Sequence, residues 1–353
     1  MNSVVSTDSS HSSNMLMPLV RFAQAYLAPQ PKVATAIQID VEPTEELARG
    51  QSRPMLTVAQ RMPVDSWDSH MHVTDPDYPL TEGAAYIPCL HTLDDVRNFE
   101  GTIGIRNTVF VQPSIYGNDN SCLLDALRVA GPSHGRGVVA IDPDMLDITQ
   151  LQEWHKLGVR GVRLNLKSIN ATYTENSLTT MLQKYAEAIR GFGWVLELYI
   201  GMEAMPILEK IVPSLGVRIS IAHFGAPTLP SPETANYPLN PYDITGFSSL
   251  VNLVRAGSTW VKLSAPYRFD KDTHFRGVES IARELLKVAG DRCIFASDWP
   301  HTRHDGLDIK PFVETVLDWT DEANLTKEVF SLNAKELWDI DQRRDSQDPL
   351  KCD

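Results

Sequence analysis

Residues 64–80 read VDSWDSHMHVTDPDYPL. Asp68, His70 and His72 fall at every second position, at the end of an apolar-leaning run, and Pro76 and Pro79 then mark a loop. Alternation by two is β-strand spacing, so the three polar side chains are expected on one face. A carboxylate and two imidazoles in register form a face that is costly to bury unless it has a task.

The same shape recurs along the chain. Further short runs rich in β-branched and apolar residues are NTVFVQPS (107–114), GVVAIDP (137–143), VRGVRLN (159–165), WVLELYI (194–200), VRISIAHF (217–224), WVKLSAP (260–266) and CIFASDW (293–299). Helical patterns lie between them. TLDDVRNFEG starts on Thr92 as a cap with acids in the first turn, and the next two helices stop at Gly131 and Gly158. The tail from 308 reads as a helix pair through about Leu337. Eight strands alternating with helices predict a (β/α)8 TIM barrel over residues 61–345. An open doubly wound sheet is the alternative, but no G-x-G-x-x-G or G-x-x-x-x-G-K follows any strand.

A barrel of this kind works at the carboxyl ends of its strands. Those ends carry His70 and His72, then Gln112 and Ser114, Asp142, Arg163 and Asn165, Glu197 and Tyr199, His223, Ser264 with Tyr267 and Arg268 beyond, and Asp298 followed by Trp299, Pro300 and His301. Imidazoles can hold a divalent cation or donate to a carbonyl oxygen. A carboxylate such as Asp298 can take a proton from water. An arginine fork holds a planar anion. Together these predict hydrolysis, with activated water attacking a polarised carbonyl. Asp68 is expected to accept bonds from backbone amides near the mouth. Glu197 is expected to pair with an arginine, and at most one of His301, Arg303 and His304 to touch substrate.

Composition narrows the class. The chain has 353 residues, 42% of them hydrophobic, and a formal net charge of −13. An acidic surface argues against nucleic acid and anionic membrane as partners. Cys89, Cys122, Cys293 and Cys352 include no C-x-x-C pair and read as reduced. No run is long and apolar enough to span a bilayer, and the expected location is cytoplasmic. Residues 1–60 are expected to be an N-terminal extension, partly disordered over its Ser-rich start, with a short helix at 15–28.

The D-x-H-x-H at 68–72, the AHFG ending the sixth strand and the SDWPH at 297–301 together resemble the amidohydrolase superfamily, and within it the branch of 2-pyrone-4,6-dicarboxylate lactonases. The resemblance spans about 61–340. It implies a hydrolase that opens a lactone, with His70, His72 and His223 polarising the scissile carbonyl and Asp298 as general base. It implies Arg163, Tyr199 and Arg268 as substrate-binding residues. Two departures stand out: Ala226 occupies a place where these lactonases resemble one another in carrying arginine, and Lys167 is the nearest cation after Arg163. A pocket poor in anion anchors, and a less charged ring substrate, are therefore expected. Arg163 and Asn165 on the fourth strand cannot bridge two metal ions. Catalysis without metal is weighed slightly ahead of one divalent ion, zinc or manganese, on His70, His72 and Asp298. The competing functions are a metal-dependent decarboxylase of an aromatic or muconate-type acid and a non-catalytic small-molecule binding barrel. The proline-rich segment 227–246 is expected to form a wall or lid over the mouth.

Overall fold

The computed structural model describes residues 56–84 and 86–340. The expectations for residues 1–55 and for Cys352 lie outside the described residues. Eight strands form one sheet: β1 (Trp67–Met71), β2 (Asn107–Val111), β3 (Gly135–Val139), β4 (Val159–Asn165), β5 (Val195–Tyr199), β6 (Arg218–Ile221), β7 (Thr259–Leu263) and β8 (Cys293–Phe295). Every neighbouring pair is parallel and follows chain order. The ring closes just past β8, where Asp298 N donates to His70 O (2.9 Å) and His72 N to Trp299 O (2.8 Å). This is the TIM barrel that the sequence predicts.

The helices follow from their residues. Thr92 and Asp95 form a reciprocal capping box that opens Leu93–Ile103, satisfying amides that otherwise lack partners. Helix Arg276–Ala289 buries Val278, Ile281, Ala282, Leu285 and Leu286, an apolar stripe at i, i+3 and i+4 that seats it on the sheet. Each large aliphatic side chain so buried contributes about 1.5–3 kcal/mol.

Inside the ring lie two layers. The lower one is apolar: Trp67, Val109, Val138, Val195, Trp260 and Ile294 pack with Leu337 and Trp338 from the terminal helix. Above it sit wholly buried polar groups, including Glu197, Ser220 and Lys262. The apolar plug keeps water out from below, so polar groups of the upper layer must satisfy one another.

One sequence expectation fails here. The register shifts between Asp68 and Met71, so that Ser69 and His70 together face Val109 of β2. This β-bulge breaks the period of two. Ser69 bonds interior groups, its O accepting from Lys262 Nζ (2.7 Å) and its Oγ from Trp338 Nε1 (3.2 Å). Asp68 is displaced from the face of His70 and His72 and lies beside Glu100 of helix Leu93–Ile103. As expected, its Oδ1 accepts backbone amides, from His70 (3.0 Å) and Ser297 (2.9 Å), which stitches β1 to the segment after β8. Burial first, and then the Asp68 charge, push the Glu100 carboxyl well above its ordinary range. Among the described residues no helix is long and apolar enough to cross a membrane.

Candidate active site

The upper rim gathers His70 from β1, His72 just beyond it, His223 beyond β6 and Asp298 beyond β8. Their placement is partly set by the backbone. His223 and Asp298 take φ of 54° and 62°, and Ala265, after β7, takes 49°. Such left-handed residues turn the chain sharply, and Asp and His tolerate the region better than most.

Asp298 Oδ1 lies 3.6 Å from His70 Nε2, 3.8 Å from His72 Nε2 and 3.8 Å from His223 Nε2. These separations are too long for hydrogen bonds. Its other oxygen, Oδ2, accepts from Arg268 Nε (2.6 Å) and Tyr267 OH (2.7 Å). One oxygen is clamped and the other faces three imidazoles. Burial opposes the charge on Asp298, but Arg268 and then the imidazoles outweigh it and hold the carboxyl well below its ordinary range.

The far side of each ring is engaged. His72 Nδ1 meets Val111 O at 2.7 Å. A carbonyl only accepts, so Nδ1 carries the proton and Nε2 of the neutral ring is a bare lone pair. His223 Nδ1 bonds Ser264 Oγ (2.8 Å), and His70 Nδ1 lies 3.2 Å from Glu197 Oε1. His70 Nε2 is buried with no hydrogen-bond partner. Ligand atoms of His70, His72 and Asp298 lie within 4.8 Å of one another. Nitrogen and oxygen donors about 2.0–2.2 Å from a common zinc-like ion, each imidazole steadied from behind, make up such a site. The residues therefore fit one divalent ion, the alternative in the sequence reading. A bare, neutral His72 Nε2 has no proton to donate to a carbonyl oxygen.

Burial lowers the pKa of His72 to about 4 and that of His223 to about 3. Their rings are therefore neutral near pH 7. The expected pH–rate profile stays level through the ordinary histidine value of 6.5 and falls only as pH drops through about 4. Stability follows the same sign. The unfolded chain takes up these protons below 6.5 and the folded one only near 4, so stability present above 6.5 is lost as pH falls through that window. An acid limb of the rate at 6.5 would contradict this assignment.

The mouth is lined by His72, Tyr86, Ser114, Arg163, Asn165, Ser168, Tyr199, His223, Arg268, Asp298, Thr302 and Arg303. All seven site residues expected from sequence thus meet at one end of the barrel, His70 beneath the mouth. Tyr199 sets its ring edge-on to His223, with centroids 4.8 Å apart. Arg163 commits Nη1 to Gln112 O (2.7 Å) and leaves a buried Nε without a partner. Arg268 is largely committed to Asp298. Arg303, from the loop after β8, brings a third guanidinium, so the pocket is richer in cations than the missing arginine at Ala226 predicts. Lys167 instead turns toward Glu203 (3.6 Å). Asp142 is exposed, and Gln112 holds the backbone at Gly117 and Asp119. Segment 227–246 contributes no residue to this lining; Tyr237 packs instead under Arg276, 4.2 Å from its ring centroid. Glu197 pairs with Lys262 and not with an arginine. Lys262 had a signal in the sequence: a lysine inside WVKLSAP, two positions before Ser264 and on its face. Tyr86 lies in a loop with no such pattern.

The amidohydrolase family profile matches residues 67–340. A 4-sulfomuconolactone hydrolase of Hydrogenophaga intermedia is 32% identical over 70% of this chain and 78% of its own length. A 2-pyrone-4,6-dicarboxylate hydrolase of Comamonas testosteroni is 26% identical over 68% of this chain and 78% of its own. Among solved structures, a Pseudomonas putida protein assigned as a 2-pyrone-4,6-dicarboxylic acid hydrolase is 28% identical. It superimposes with a TM-score of 0.63 over 79% of this chain and 99% of its own.

Proposed function

From the premise that this chain belongs to the amidohydrolase family, we propose that it hydrolyses a lactone that carries an anionic substituent. The observation that carries this reading is the two-sided Asp298 carboxylate. Arg268 and Tyr267 hold Oδ2, and three imidazole Nε2 atoms surround Oδ1.

His70, His72 and Asp298 would hold a single divalent ion, with His223 adjacent. When bound, such an ion supplies Lewis acidity to the lactone carbonyl and acidity to a water molecule. The side chains do the rest. Asp298 Oδ1 takes the proton of the attacking water, and its low pKa keeps it ready as a base across the neutral range. The same carboxyl then returns that proton to the ring oxygen as the ester bond breaks. Arg163, through its unpartnered Nε, and Arg303 orient the anionic substituent, and Tyr199 packs against His223 at the pocket wall. Arg303 is exposed at the rim of the cavity, where an entering ring meets it.

The test is turnover of a panel of five- and six-membered lactones, with and without a carboxylate or sulfonate. It is run on protein of measured metal content, before and after chelation. Hydrolysis of the anionic members, lost on chelation and restored by zinc or manganese, is the expected result. Release of carbon dioxide from a carboxylated substrate with its ring intact would instead favour a decarboxylase. In the same panel Arg303→Met is expected to raise KM for anionic lactones by about tenfold, the loss of one exposed charge-assisted contact of about 1.4 kcal/mol, and to leave neutral ones unchanged.

A further inference from the structure

We propose that Glu197 and Lys262 act as one buried positioning unit that fixes the proton of His70 on Nδ1 and so presents Nε2 as a bare ligand. This rests on reading the imidazoles as holders of a cation.

The three residues come from three strands, β5, β7 and β1, and each is wholly buried. The Lys262 ammonium has three N–H groups. One donates to Ser69 O (2.7 Å) and one to Glu197 Oε2. For the third there are two candidates: His70 Nδ1 at 3.2 Å, and the face of Trp338, whose ring centroid is 5.2 Å away. His70 Nδ1 is equally close, 3.2 Å, to Glu197 Oε1. The ring can therefore accept from the lysine or donate to the carboxylate, not both.

Counting donors decides between them. Glu197 Oε1 is buried without a hydrogen-bond partner, and the atom facing it is His70 Nδ1 at 3.2 Å. If Nδ1 were bare, a carboxylate oxygen would sit in a water-free interior with nothing to bond. If Nδ1 carries the proton, Oε1 faces an N–H 3.2 Å away instead of a second lone pair, and the third lysine N–H rests on the indole face, a favourable place for a cation. An unbonded buried carboxylate oxygen is the costlier orphan. Nδ1–H toward Glu197 follows, and Nε2 is left bare, as in His72. Lys262 holds the other carboxylate oxygen, which keeps Oε1 turned to the ring. The arrangement is a carboxylate behind a histidine, the pattern that orients metal-binding imidazoles, with a lysine behind the carboxylate in turn.

The first measurement is the His70 tautomer in the metal-free, full-length protein, by nitrogen NMR after selective labelling of histidine, with the His70→Asn variant to assign the signal. An Nδ1–H tautomer is expected; an Nε2–H tautomer overturns the proposal whether or not the protein binds metal. The second compares two double variants that both remove the ion pair, so that neither leaves half of it buried and unpaired: Lys262→Met with Glu197→Gln, and Lys262→Met with Glu197→Met. The amide still accepts from Nδ1–H; the thioether scarcely does. Zinc affinity, by competition with a chelator, is expected to stay within about threefold of wild type in the first and to fall about 10–100-fold in the second. A purely structural role predicts equal losses in both, and equal losses would refute the assignment. Should the Met/Met protein fail to fold, a loss of more than tenfold in the Gln variant alone refutes it as well.

Discussion

Asp298→Asn is expected to lower kcat by about 10³–10⁴ with substrate affinity nearly unchanged, when assayed with divalent metal in excess. The magnitude is that of a positioned general base. Asparagine keeps the shape and still bonds Arg268 and Tyr267 through its oxygen, so the pocket wall should stand. What it lacks is an oxygen able to take a proton at Oδ1, the atom now 3.6–3.8 Å from three imidazoles. The outcome is read as a split: kcat falls and KM holds, the pattern of an interaction used in the transition state. Turnover within tenfold of wild type would remove Asp298 from the chemistry. A binding barrel without activity makes a different forecast, in which the variant matches wild type in ligand affinity and neither turns over.

Arg163→Met is the second large effect. The guanidinium is buried, its Nη1 fixed on Gln112 O and its Nε unpartnered, in a residue that lines the cavity. A desolvated charge contact of this kind is worth about 2–5 kcal/mol when one partner is removed. For a lactone bearing a carboxylate or sulfonate, kcat/KM is expected to fall by about 10²–10³. For a neutral lactone of the same ring it should change by less than tenfold. Arg163→Lys should recover only part of the loss, because lysine keeps the charge and loses the fork. Equal losses on charged and neutral rings would mean that the arginine only braces β4 against β2 through Gln112, and thermal unfolding of the variant would report that bracing directly.

Much of this molecule was legible in its sequence, for a physical reason. Most strand positions in a barrel are apolar on both faces, so polar residues at the ends of such runs are conspicuous. His70, His72, His223 and Asp298 were found that way, and the structure brings all four together. Less legible were features that depend on pairing register. The period of two put Asp68 beside the histidines, but the bulge at Ser69 and His70 hands that side chain to the helix layer and Glu100. A bulge is settled by the neighbouring strand, which a linear reading does not contain. Glu197 was placed on the right face with the wrong partner, because Arg163 stands opposite it on β4 while Lys262, which takes its carboxylate, reaches it from β7, two strands away. The mouth was least legible. Ala226 suggested a shortage of cations that Arg303 makes good from another loop, and the five prolines of 227–246 suggested a lid that does not line the pocket. Loops reach the site by paths that no periodicity encodes.

The left-handed exits from the sixth, seventh and eighth strands have a consequence for how such an enzyme can change. At Ala265 and Asp298 the chain turns at one left-handed residue, and from His223 it runs left-handed through Ala226, so His223 and Asp298 are aimed where their strands end. Each non-glycine residue held there costs roughly 1–2 kcal/mol, a strain the packed barrel can carry. In exchange, the loops beyond the Tyr267–Arg268 clamp are released from duty in the chemistry. Their length and composition can drift, or be exchanged by an engineer, and alter which ring is admitted without disturbing the atoms that open it.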